Sequence, residues 1–160
     1  MSRAGYSEDI SDWALICWRG AVKQAICGRR GQAFLKEMLD ALDAMPKKAL
    51  IESDLITDEG EVCAMGSVAL KRGIDVYNVD PTDRREVAET FGIAPAMAAE
   101  IAYENDEGGW RETPEQRWTR MREWVVAQLK TANGDSDQRS TATPDLPLKT
   151  PPRGFEENER

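Results

Sequence analysis

Histidine is missing altogether from the 160 residues. That absence removes Ser-His and Cys-His nucleophile pairs, imidazole general bases, histidine metal ligands and histidine-ligated haem. Cysteine is scarce. Cys17, Cys27 and Cys63 fit neither a paired disulfide framework nor the close C-x-x-C spacing of a zinc site, so reduced thiols are expected. No apolar run approaches the ~18 to 20 residues that cross a bilayer. The opening MSRAGYSEDISDW turns acidic where a secretion signal needs an apolar core, and a cytoplasmic protein is expected. Catalysis would have to run on carboxylates, lysine, tyrosine or an unassisted thiol, and neither enzymatic activity, a cofactor nor a metal site is expected.

What is present is a charged chain with a folded body. Apolar residues make up 41% and charged residues 31%, with 29 acidic against 21 basic groups and a net charge of −8. Composition changes near residue 131. Residues 132–160 hold four of the eight prolines and few large apolar side chains, too little apolar surface to offset ordering entropy, and a disordered tail is predicted. The remaining 1–131 reads as one helical domain with no internal repeat.

Helical periodicity dominates that domain. From an N-cap at Ser7 or Ser11, Trp13, Ala14, Cys17, Trp18, Ala21, Val22, Ala25 and Ile26 form an apolar stripe that Gly28 ends. Phe34, Leu35, Met38, Leu39 and Leu42 form a second, ending before Pro46. KALIESDLI fits a short helix or a strand, and 62–71 reads as a helix closed by Gly73. Asp80 before Pro81 predicts a helix carrying Val87, Ala88 and Phe91, with Gly92 ending it and another helix from about Ala94. Thr113-Pro114-Glu115-Gln116 is a capping box with proline at the first helical position, opening a last helix that bears Trp118, Met121, Trp124, Val125 and Leu129. These signals predict an all-α bundle of six or seven short helices.

Three constellations bear on function. VAETFGIAPAMAAEI has the grammar of a helix-turn-helix, but residues 80–107 hold eight acidic groups against Arg84 and Arg85, a sign that phosphates repel. A structural helical hairpin is expected there. The one basic stretch, Arg19, Lys23, Arg29, Arg30 and Lys36, has no acidic residue between 19 and 36. In GRRG, flexible backbone would let Arg29 and Arg30 close on a phosphate or carboxylate; the alternative is an ordinary solvated loop. YENDEGGWRETPE gathers Glu104, Asp106, Glu107 and Glu112 without the alternating ligand order of a calcium loop, so Asn105-Asp106 is expected to end a helix and tether the next turn. Of the five tryptophans, four fall at stripe positions or a helix start and are expected in the core, with Trp110 the exposed one.

The order CAMG (63–66), FGI (91–93), END (104–106) and a closing amphipathic helix resembles small uncharacterised proteins of tailed phages and prophages, over roughly residues 49–130. RETPEQRWTRMREWV and GYSEDISDWALICWRGAV are similar to phage proteins as well. The resemblance implies a setting, a phage or prophage gene expressed in a bacterial cytoplasm, and no chemistry. It makes Cys63, Gly66, Asn105 and Asp106 a shared frame, although Ser67 stands where such proteins often carry leucine. Physically, Gly66 and Ala64 would permit a close helix crossing, Cys63 would fill a small volume, and Asn105 with Asp106 would brace the facing helix end. A thiol and carboxylate paired in a cleft is the competing reading, and a carboxylate neighbour opposes thiolate formation.

The expectation is therefore a non-enzymatic, acidic protein-binding factor whose partner is a host or phage protein, such as a nucleic-acid-binding or defence enzyme with a basic groove. Arg19, Lys23, Arg29, Arg30 and Trp110 are the candidate binding residues. A nucleic-acid accessory role for the 19–36 patch is the alternative, and a cysteine-dependent enzyme a third.

Overall fold

The structure, a computed structural model, describes residues 11–109 and 111–138, with side chains of the last helix placed through residue 129. The described residues form six helices and no β-strand: α1 (Asp12–Cys27), α2 (Arg29–Ala44), α3 (Ala64–Arg72), α4 (Arg84–Phe91), α5 (Pro95–Glu107) and α6 (Pro114–Gln138). The chain is all-α, as its periodicity predicted. No described helix is long and apolar enough to cross a membrane.

Local chemistry sets most boundaries. Ser11 opens α1, its hydroxyl accepting from the Ala14 amide; Ser7, the other candidate cap, lies outside the described residues. Thr113 and Gln116 form the reciprocal capping box: the Thr113 amide donates to Gln116 Oε1 at 2.9 Å, and the Gln116 amide donates to Thr113 Oγ1 at 3.3 Å. Gly73 and Gly92 end α3 and α4 in the left-handed region, at φ 68° and 70°, where a Cβ would be strained.

Four boundaries differ from the sequence expectation. Helix α4 starts at Arg84, because Asp83 caps it through the amides of Arg85 and Glu86, while Asp80 closes a separate turn by accepting from the amide and hydroxyl of Thr82. GRRG is not a loop. Gly28 has extended backbone, ends α1 and opens α2 at once, so Arg29 and Arg30 occupy the first turn of a helix. KALIESDLI is neither helix nor strand, but a bent connection that meets 62–63 through Ile51 N to Val62 O, Cys63 N to Leu55 O and a single bridge between Ile56 and Val62. Finally, α6 runs to Gln138, past the expected domain edge at 131; the rest of the predicted tail, 139–160, lies outside the described residues.

The core centres on α2, whose Leu35, Met38 and Leu42 are fully buried against α3 and α6. Burying each such side chain contributes roughly 1.5–3 kcal/mol. Helix α5 packs against α1 and α4, with Met97, Ala98, Ala99 and Ile101 enclosed, and Met121 and Val125 of α6 close the bundle. Helix α1 is different. At 100° per residue, Trp13 and Val22 point in opposite directions. The structure accordingly buries Val22 and Ile26, leaving Trp13 73% and Ile16 61% exposed with Cys17 and Ala21 beside them. The stripe expected to be core is thus two faces of one helix, and Trp13 is not a core tryptophan.

Candidate functional site

The outer face of α1 follows from its position at the margin of the bundle. Val22 and Ile26 satisfy the helix's packing, which frees Trp13, Ile16, Cys17, Gly20, Ala21 and Gln24 to face solvent. Nothing lies within 4 Å of a Cβ added at Gly20, so the middle of this face is open. Burying a tryptophan and an isoleucine within the fold would have been favourable, and their joint exposure makes this face the candidate surface.

The basic stretch borders the same helix. Arg19, Lys23, Arg29, Arg30 and Lys36 are all exposed, and Arg19, Arg29, Arg30 and Lys36 make no ion pair or side-chain hydrogen bond with another described residue. The remaining basic groups of the bundle are largely used up internally. Arg72 pairs with Glu37 at 2.6 Å, Arg117 with Glu52 at 2.7 Å, Arg120 with Glu112 at 2.6 Å and Arg122 with Asp43 at 2.6 Å. Arg29 and Arg30 sit in the first turn of α2, which carries no acidic residue and no side-chain cap. Cations there oppose the helix dipole, a local cost. Trp110, the remaining binding candidate, lies outside the described residues.

The expected frame assembles around the start of α3. Cys63 is fully buried and is the N-cap, its Sγ accepting from the Gly66 amide at 3.5 Å. Asn105, also buried, accepts from the Ala64 amide at 3.0 Å and donates to Ile51 O at 2.9 Å and to Asp106 Oδ1 at 2.8 Å. Asp106 in turn accepts from the Ser53 amide at 3.2 Å, where Ser53 holds φ 69°. Gly66 is pressed against a loop rather than a second helix: an added Cβ would stand 1.9 Å from Leu55 O. Asn105 and Asp106 lie in the last turns of α5, and they tether 51–53 and the start of α3.

Two acids of the segment, Glu104 and Glu112, gather around Arg120. Arg120 holds Glu112 with two hydrogen bonds, 2.6 and 2.8 Å, and donates to the carbonyl oxygens of Glu104 and Asn105. Those bonds hold the Glu112 carboxyl below its ordinary range. Burial, with Glu100 nearby, pushes Glu104 up despite Arg120. Among the described residues no group of three or more His, Cys, Asp or Glu side chains is placed to hold a metal ion. The three cysteines form no disulfide.

The would-be recognition helix of the helix-turn-helix reading is α5, and Ala96, Met97, Ala98, Ala99 and Ile101 bury it on most sides. A helix so enclosed cannot enter a groove. These features define a small helical bundle in which, among the described residues, the Trp13 face of α1 is exposed beside Arg19, Arg29, Arg30 and Lys36, which form no ion pair there. No family model matches the chain, and no curated relative or solved structure shows significant similarity to it.

Sequence reasoning missed Trp13 and Ile16 as surface groups. The signal was the angular width of the α1 stripe, which exceeds what one packed face accommodates.

Proposed function

We propose that this chain is a non-enzymatic protein-binding factor that engages its partner through the outer face of α1. The observation that carries this is the joint exposure of Trp13 and Ile16, one turn apart on one helix face, in a bundle whose other large apolar side chains are mostly enclosed. Anchors at this spacing match the helix-in-groove mode of recognition, in which an aromatic residue supplies most of the affinity. The resemblance of 49–130 to tailed-phage proteins supports a host or phage protein as that partner, met in a bacterial cytoplasm. Burial of Cys63 at a helix start supports a packing role for the thiol over a catalytic one. Comparative affinity capture tests the proposal: a partner retained by the native chain and lost from a folded Trp13→Ala, Ile16→Glu variant supports it. Recovery of the same proteins by both would overturn the assignment of this face.

A second reading rests on a separate observation, the exposed Arg29 and Arg30 at the start of α2, which form no ion pair with a described residue. Nucleic-acid binding there predicts retention on DNA or RNA that weakens steeply with salt and falls in Arg29→Ala, Arg30→Ala. Unchanged retention in the double variant eliminates that site.

A further inference from the structure

We infer that the cleft between α1, α5 and α6 is a docking site for a segment of this same chain, Phe155–Glu159. The cleft has a volume of about 480 Å³ and lies on the opposite side of α1 from Trp13. Leu15, Trp18, Val22 and Ile26 make its apolar wall, Tyr103 and Gln128 face them, and Arg19 and Lys23 stand on the α1 rim. Arg19 is exposed and forms no ion pair with a described residue, whereas the one acid lining the cleft, Glu100, belongs to α5 on the far wall. An occupant therefore needs an apolar group for the floor and negative charge directed at α1.

The chain beyond α6 supplies one such stretch. Residues 139–154 carry Leu146 and Leu148, but with Arg139, Lys149 and Arg153 against Asp145 alone they bring net positive charge to a basic rim. Phe155 is instead followed by Glu156, Glu157 and Glu159. Reach is ample. Gln128 lies about 15 Å along α6 from Gln138, and the seventeen residues from 138 to 155 can span up to about 56 Å. Because the segment is tethered, its effective concentration is high, and the modest affinity of one ring and one ion pair is enough to populate the docked state. Docking covers Arg19 and leaves the Trp13 face open.

Photocrosslinking of the full-length chain with benzoylphenylalanine in place of Phe155 tests this. Crosslinks to residues 15–27 within one chain, in a yield constant over about a hundredfold dilution, are expected. Arg19→Glu lowers that yield by about threefold to tenfold. Adding Glu156→Lys and Glu157→Lys to Arg19→Glu restores it. Arg19 is exposed, so the variant keeps its fold, checked by circular dichroism. Crosslinks that form only between chains and vanish on dilution, that fall elsewhere, or that ignore Arg19→Glu overturn the proposal. No partner protein is present, so the outcome is independent of whether the outer face of α1 binds one.

Discussion

The side-chain oxygen of Asn105 accepts a hydrogen bond from the backbone amide of Ala64, 3.0 Å away and 41 positions earlier in the chain. A helix start leaves its first amides without intrahelical partners, and here a residue from another helix satisfies one of them inside the core. The Asn105 nitrogen meanwhile satisfies Ile51 O. One amide thus joins α5, the start of α3 and the connection between α2 and α3.

Asn105→Ala removes an acceptor and a donor at a site where water cannot substitute. A loss of about 2–4 kcal/mol is expected, since each stranded buried group costs about 1–3 kcal/mol. Asn105→Asp keeps the acceptor yet strands Ile51 O and sets a charge beside Asp106, and a loss at least as large is expected. Urea denaturation measures both; a loss under about 0.5 kcal/mol would remove Asn105 from this role.

Three glycines separate space from backbone freedom. Gly31→Ala and Gly66→Ala place a Cβ 2.0 Å from Ala25 O and 1.9 Å from Leu55 O, backbone atoms that can yield only by moving an element. Each is expected to destabilise by about 2 kcal/mol or more. Gly20 is helical with open space around it, so Gly20→Ala is expected to stabilise by about 0.5–1 kcal/mol through helix propensity. Thermal melts of the three variants should move in these opposite directions.

Acid stability follows the carboxylates around Arg120. Glu112 is held below its ordinary pKa, so its contribution is present above about pH 4.3 and is lost as pH falls through its lowered folded value. Glu112→Gln should therefore cost about 1.5–3 kcal/mol at pH 7 and little at pH 2. Glu104 has the opposite sign. Its raised folded value makes ionisation unfavourable to the fold, so Glu104→Gln is expected to stabilise at pH 7, the gain fading as pH drops below the ordinary carboxylate range. Denaturation midpoints at both pH values check the pair.

Thiol reactivity reads out burial directly. Cys17 is exposed and should react with a maleimide at once, Cys27 more slowly, and fully buried Cys63 only as fast as the fold opens. Prompt modification of all three in the native chain would contradict the packing around α3.

Helix positions were legible wherever a local signal acts alone. The Thr113–Gln116 box, Gly73 and Gly92 fixed helix ends within a residue or two, because a cap or a positive φ is settled by near neighbours. Signals that depend on a distant partner were not legible. GRRG reads as a flexible loop until Gly31 is seen against Ala25 O, which demands a glycine for closeness and not for freedom. Trp13 reads as core until the bundle is seen to cover only the Val22 side of α1. The grouping of Asn105 with Cys63 and Gly66 was suggested by resemblance, but the backbone they meet, Ile51 O for Asn105 and Leu55 O for Cys63 and Gly66, lies in a segment with no periodicity.

Gly28 leaves no slack between α1 and α2, and Gly31 seats the end of one helix on the start of the next. Mechanically this is a fulcrum. Trp13 lies twelve residues from Ala25, a lever arm of about 18 Å. A load applied at the tryptophan cannot be absorbed by a yielding linker. It is delivered to α2 through the joint at Gly28 and Gly31, and to α5 and α6 through the side of α1 that packs on them.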